Sequence, residues 1–324
     1  MIKRITALAL CGALSACALA GCGESSSPKN SQLSVVCTIF PEYDWVRQIL
    51  GSHADDAQIT YLLDSGADLH NYQPTAADMV KITTCDLFIY AGGESDDWVE
   101  DALSEAENEQ IRSLSLLEAV GSAAKKEELI EGMEPEEEEE EDEEEGPEYD
   151  EHVWLSLRNA QVLCSAITDQ LCQIKPELET DLRQNCESYN AQLDELDGKL
   201  SLLFGDHPDT ALIFGDRFPF RYFVDDYGVD YYAAFVGCSA ETEASFETVT
   251  FLADKLAQLD PCVIFTIEGS DHKIAETVIA NSPADAQIAE LSSVQSVNKS
   301  QIQSGTTYLS LMEGNYETLK EVLK

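Results

Sequence analysis

Basic side chains are scarce in this chain of 324 residues. Nineteen lysines and arginines stand against sixty-two aspartates and glutamates, a formal charge of −43. Nucleic-acid binding demands a basic footprint, so this composition argues against that class. The ten cysteines include no C-x-x-C pair, which argues against a thiolate zinc knuckle or thioredoxin-like chemistry. Also missing are an H-E-x-x-H pair, a G-x-S-x-G elbow and a glycine loop that cradles phosphate. Histidine is rare too, with five in the chain.

Acid is abundant, and it is concentrated. Residues 131–154 read EGMEPEEEEEEDEEEGPEYDEHVW, and fifteen of the twenty-one residues from Glu131 to Glu151 are acidic. Such a block repels itself and cannot bury enough apolar surface to fold alone. A solvated loop is expected, with Glu136–Glu145 gathering cations by its long-range potential. Without those fifteen acids the charge is still −28, so cation attraction is not confined to one segment. The run ends on His152, a borderline-soft nitrogen ligand set against apolar Val153 and Trp154. The same stretch also reads as an acidic linker that keeps the chain soluble, with a histidine capping a helix.

The N-terminus places the protein. Met1–Arg4 is a short basic start and Ile5–Ala20 an apolar run, the pattern of a secretory signal. At about 16 residues it falls short of the ~20 that span a bilayer. Leu19-Ala20-Gly21-Cys22 resembles a bacterial lipobox, and Leu14-Ser15-Ala16-Cys17 competes with it. Cys22 is preferred as the lipidated residue because it follows the whole apolar run and precedes a polar tether. The expectation is a signal peptide over 1–22, a tether over 23–32 and an extracytoplasmic protein anchored by lipid to the bacterial cell membrane. The seven remaining cysteines, an odd number, leave at least one unpaired, and several lie in apolar runs like buried free thiols.

The rest alternates strand and helix. Strands are expected at Ser34–Ile39, Gln58–Leu63, Leu87–Tyr90 and Ile111–Leu117, then at Ala211–Phe214, Tyr231–Phe235, Cys262–Ile267 and Gln287–Leu291. Between the two sets, Leu178, Leu182, Cys186, Tyr189, Leu193, Leu196 and Leu200 recur at helical spacing. This predicts an α/β fold of two Rossmann-like lobes with mostly parallel sheets joined by one long helix. The N-terminal lobe would take 33–174, including the acidic loop 131–151, the linking helix 175–204 and the C-terminal lobe 205–324. In such lobes ligands bind beyond the carboxyl ends of the strands. His70 follows the second strand, Asp216 and Arg217 follow Phe214, and Glu268 follows Ile267. Two histidines, His70 and His152, with the Glu268 carboxylate would suit zinc. His272 reads equally well as a cleft residue or as part of a helix N-terminal turn. His53 and His207 read as surface residues.

These residues fall into segments that resemble the zinc/manganese solute-binding lipoproteins of bacterial ABC importers, over nearly all of the chain beyond the leader. Thr38-Ile39-Phe40-Pro41 with Tyr43-Asp44 is similar to the family's first strand and turn. His70-Asn71-Tyr72-Gln73-Pro74-Thr75 resembles its H-x-Y-x-P-[ST] segment, and Asp150-Glu151-His152-Val153-Trp154-Leu155-Ser156 its D-x-H-x-W-[LM]-[SD] segment. The resemblance implies a metal site of His70, His152 and Glu268, a Zn2+ or Mn2+ cargo, and delivery to the membrane permease of an ABC importer. It implies a binding protein rather than an enzyme, and a monomer is expected.

One departure stands out. The family's third ligand is a histidine or glutamate in an H-x-x-F-x-Y-[FL] pattern. Phe220, Tyr222 and Phe223 keep that register here, but the ligand position is Arg217. Arginine stays protonated and cannot ligate. Asp216 or Glu243 could substitute, or water could complete the site. The guanidinium is expected to meet Glu268, Asp216 or Glu243. Two other readings stay open: a carrier of a non-metal, anionic ligand bound through Arg217, and a metal-dependent hydrolase using the open position. A manganese or iron carrier is a further variant of the first reading.

Overall fold

Short runs of β-branched and aromatic side chains, bounded by polar turns, set the strands. The computed structural model describes residues 32–133, 148–239, 243–259 and 262–324. The leader with Cys17 and Cys22, the tether to residue 31, and Glu136–Glu145 lie outside the described residues. Ser34–Cys37 (β1), Gln58–Tyr61 (β2), Leu87–Tyr90 (β3) and Arg112–Ser115 (β4) pair in parallel in the order β2-β1-β3-β4. Ala211–Phe218 (β5), Asp230–Val236 (β6), Val263–Ile267 (β7) and Gln287–Leu291 (β8) form a second parallel sheet, β6-β5-β7-β8. The two orders are the same when each sheet is counted from its own first strand. Each sheet therefore reverses direction between its first and third strands, and there a crevice opens at the carboxyl ends.

The linking helix runs Glu179–Asp206. Twenty-eight residues at 1.5 Å each give about 42 Å, enough to span both lobes. Its buried stripe is Leu182, Cys186, Tyr189, Leu193, Leu196, Leu200 and Phe204; the expected set loses Leu178, which lies in the 3₁₀ turn Pro176–Leu178 before the helix, and gains Phe204 one turn on. That stripe packs on helices Leu157–Ile174, Phe40–Leu50, Arg221–Tyr227 and Tyr308–Val322. The core consequently runs without a break from one sheet to the other, and Leu33–Lys324 is one compact unit. Among the described residues no helix is long and apolar enough to cross a membrane. Cys37, Cys85, Cys164, Cys172, Cys186, Cys238 and Cys262 are all free thiols, the first five of them buried.

Two local departures matter for the site. β5 does not end at Phe214 but continues to Phe218 through an irregularity between Phe214 and Arg217. Asp216 and Arg217 thus sit within the strand end instead of in a following loop. A short helix at Lys299–Gln303, capped on both sides of its first turn by Asn298 and Gln301, was also not visible as a periodic pattern.

Polar ties hold the lobes together at their buried seam. Trp154 donates through Nε1 to the Ser293 carbonyl at 2.8 Å, and Tyr308 Oη donates to the Trp154 carbonyl at 2.6 Å. Tyr61 Oη reaches the Gln295 carbonyl at 3.1 Å, and Tyr222 Oη the Asp150 carbonyl at 2.8 Å. All four side chains are buried, so each lost partner would leave a polar group dry. Tyr308→Phe should cost about 1–3 kcal/mol, because it strands the Trp154 carbonyl. Urea unfolding of the variant measures this, and a loss below about 0.3 kcal/mol would refute a role for this bond in the seam.

Candidate metal centre

The loop after β2 tightens into one 3₁₀ turn, Leu69–Asn71. Leu69 is fully buried and anchors it. Asp68 precedes the turn and accepts the His70 backbone N–H on Oδ1 at 3.0 Å. The second segment repeats the device: Asp150 Oδ1 accepts the His152 backbone N–H at 2.8 Å. Two D-x-H sequences therefore build two similar local supports, each aiming an imidazole at the same point.

The rings meet there. His70 Nε2 and His152 Nε2 are 3.2 Å apart. On the far side of each ring, Nδ1 has its own partner. His70 Nδ1 lies 2.8 Å from Ser95 Oγ, and His152 Nδ1 lies 3.1 Å from Asp150 Oδ1. A carboxylate accepts only, so His152 carries its proton on Nδ1 and is left with Nε2 as the outward-facing nitrogen. Two lone pairs cannot face each other at this distance without a positive centre between them. Without a metal that centre is a proton. Burial, then the charge of His152, pushes the His70 pKa down to about 3. For His152 burial acts downward as well, but Asp150, Glu151 and Glu127 outweigh it and the pKa rises. Of the two rings, His152 is therefore the one that takes up an additional proton first.

Carboxylates surround the pair. Glu151 is buried; its Oε1 accepts from the Ser95 N–H at 2.7 Å and its Oε2 lies 3.8 Å from His70 Nδ1. It has this room because residue 93 is glycine, with φ +84°, where a Cβ would stand 2.6 Å from Glu151 Cγ. Burial raises its pKa to about 7 despite the Ser95 hydrogen bonds. Asp96, on the same loop after β3, is likewise pushed to about 7, by burial first.

The C-terminal lobe contributes its residues differently from the sequence expectation. Glu268 follows β7 as expected, but both its oxygens are taken: Ser293 N–H donates to Oε2 and Ser293 Oγ to Oε1, each at 2.6 Å. Burial raises its pKa while these bonds oppose the shift. Asp216 turns back onto the backbone, accepting from Arg217 N–H at 3.0 Å and Ile267 N–H at 3.4 Å. Glu243 is exposed on the wall of an interlobe cleft of about 740 Å³, which Glu268, Asp216 and Arg217 also line. His272 does not join the histidine pair. It occupies the N-cap of helix Lys273–Asn281 with φ +59°, and its Nδ1 is 3.1 Å from Thr266 Oγ1.

Arg217 corrects the expectation most clearly. Its guanidinium meets none of Glu268, Asp216 or Glu243. It crosses the cleft to Asp68 Oδ2, the oxygen left over after the His70 turn has been capped. Gln295 Nε2 reaches the same oxygen at 3.5 Å. Arginine at 217 thus holds the loop that carries His70, from the opposite lobe.

Asp68, Ser95 and Glu151 were missed as site residues in the sequence. A signal for Asp68 was present, since D-x-H occurs at both histidines. Ser95 had none, because its place beside His70 is made by the fold of the β3 loop. Among the described residues, the ligand atoms that gather within 4.8 Å of one another are those of His70, Glu151 and Cys238. His70 and His152 are brought together as expected, and Glu268 stays with Ser293.

Known proteins share this arrangement of sheets and linking helix. The family described as "Zinc-uptake complex component A periplasmic" matches residues 35–322. The high-affinity zinc uptake system protein ZnuA of Bacillus subtilis is 29% identical over 320 residues, which cover 96% of each chain. The zinc-binding lipoprotein AdcA of Streptococcus pneumoniae is 26% identical over 294 residues, 90% of this chain and 56% of its own. This chain thus spans little more than half the length of that relative. Among solved structures, the Zn(II)-bound ZnuA-like domain of Streptococcus pneumoniae AdcA gives a TM-score of 0.69 at 24% identity, covering 90% of this chain and 99% of its own. The periplasmic zinc binding protein TroA from Treponema pallidum gives 0.70 at 23% identity, with the same coverage of 90% and 99%. These likenesses establish the two-lobed fold, and the family is one of solute-binding components rather than enzymes. The chain belongs to the ZnuA family of zinc-uptake complex components.

Proposed function

We propose that this protein is a lipid-anchored extracytoplasmic carrier that binds zinc between its lobes and delivers it to the membrane permease of an ABC importer. The observation that carries this reading is the pair of Nε2 atoms 3.2 Å apart, each ring pinned through its other nitrogen. Two ligands on one tetrahedral zinc, with bonds of about 2.0–2.1 Å, stand about 3.4 Å apart. The pair is therefore already spaced for one ion, which would replace the shared proton. Imidazole favours zinc over calcium and magnesium, whose ligands are oxygen. Glu268 is the C-terminal carboxylate that the family resemblance implies, and it would have to leave Ser293 to ligate. The zinc-binding names of the relatives and the lipobox at Cys22 support cargo and location. An anion carrier working through Arg217 is disfavoured, because that cation is already paired with Asp68.

His152→Ala should weaken zinc binding by more than about 100-fold while the fold is kept, since losing a ligand exceeds the usual cost of losing an outer partner. Titration calorimetry with circular dichroism tests it, and wild-type affinity in the variant would sink the assignment. The pH dependence has a definite sign. Zinc displaces the proton that His152 holds with a raised pKa, so affinity falls as pH drops below that pKa, by up to about tenfold per unit for one proton. Competition titrations between about pH 5 and 8 should show this slope. A flat profile would contradict displacement.

Arg217 offers a third test. If it organises the site by gripping Asp68, then Arg217→Ala and Arg217→His should both weaken zinc binding, by about tenfold or more, as removal of an outer partner does. Tighter binding in Arg217→His would instead mean that arginine only fills a ligand position.

A further inference from the structure

The histidine pair supplies two nitrogens from one lobe, and the position expected to complete the set from the other lobe is an arginine engaged elsewhere. Next to β5, β6 ends one strand over. Arg217 pairs in register with Phe235 and Phe218 with Val236, so residues 237 and 238 emerge beside the same strand end. Residue 237 is glycine, and a Cβ there would lie 3.1 Å from His152 Cε1 and Nδ1 and 2.9 Å from the Phe218 carbonyl. The backbone of the C-terminal lobe consequently presses directly on the His152 ring, and the next side chain is Cys238.

Cys238 arrives in company. Ligand atoms of His70, Glu151 and Cys238 all lie within 4.8 Å of one another. Glu151 provides a second observation that points to a ligand. It is 1% exposed, Oε1 is satisfied by the Ser95 N–H, and Oε2 has no hydrogen-bond partner among the described residues. A buried carboxylate oxygen left bare is costly, and a cation would satisfy it. Glu268 would have to break two bonds of 2.6 Å to reach the ion, whereas the Cys238 thiol would leave one carboxylate, Glu127, which its backbone N–H also meets at 3.2 Å.

We infer that Cys238 is the C-terminal lobe's ligand to the cargo, bound as a thiolate beside the His70 imidazole and the Glu151 carboxylate. This rests on the metal-carrier reading above and specifies its chemistry. The thiol loses its proton to solvent as the sulfur–metal bond forms. Zn–S bonds of about 2.3 Å and Zn–N or Zn–O bonds of about 2.0–2.2 Å place such ligands about 3.4–3.7 Å apart. Contraction from the present separations, all within 4.8 Å, completes the set. A thiolate also selects: it suits zinc, cobalt and cadmium and disfavours manganese, whose ligands are oxygen-rich.

Cobalt(II) loading of the full chain tests this, because thiolate ligation gives a near-ultraviolet charge-transfer band that imidazole and carboxylate do not. Wild type should show the band and Cys238→Ser should lose it. Cys238→Ser should also weaken zinc binding by more than the about 10–100-fold typical of an outer partner. Independently of any variant's folding, zinc should protect Cys238 of the wild type from alkylation, read by peptide mass spectrometry. Stoichiometric cobalt binding without the band, with Cys238 alkylated equally in the presence of zinc, overturns the cysteine and leaves the carrier reading standing. A wild-type chain that binds neither metal overturns both.

Discussion

Two imidazole nitrogens face each other at 3.2 Å in a place where neither has another partner to turn to. Their arrangement is held from behind. Ser95 occupies the far nitrogen of His70 and Asp150 that of His152, so neither ring can rotate away without losing a hydrogen bond. In this low-dielectric setting the lone pairs require a positive centre, and a proton or a metal ion can meet the need. Much of the surrounding structure serves to keep that requirement in place. Trp154 packs against His152 at 5.1 Å between ring centres while its indole N–H reaches into the other lobe.

The cross-lobe contact at Asp68 joins this centre to the rest of the protein. One oxygen shapes the turn that presents His70 and the other receives Arg217. Both partners are largely buried, and a charge removed from water is tolerable only when paired. A change in the separation of the lobes would therefore act on the His70 turn through a single carboxylate. That couples the cleft to the histidine pair mechanically as well as electrostatically.

Charge explains a further feature. The chain carries −43 overall, yet Glu42, Asp96 and Glu151 are buried near the site. Desolvation raises all three, two of them to about 7. Near neutral pH such groups shed part of their negative charge by holding protons, which relieves repulsion that the fold would otherwise have to absorb. A cation placed among them returns them to the ionised form, so binding and proton release are linked.

The sequence by itself determined the alternation of strand and helix, the length of the linking helix and the two histidine segments. Those features are local: apolar periodicity over Leu182–Leu200, four-residue buried strands such as Leu87–Tyr90, and D-x-H turns whose hydrogen bonds close within two residues. It also showed that residue 217 departs from the family pattern. Only the tertiary structure decided where that guanidinium goes. Asp68 lies 149 positions away, and an ion pair at such a separation depends on how two sheets are set against each other. The same holds for the Ser293 grip on Glu268, for the approach of Gly237 to His152 and for that of Cys238 to His70 and Glu151. No periodicity or spacing encodes these, because each is a contact between strand ends that the chain brings together only after both lobes have folded on the linking helix.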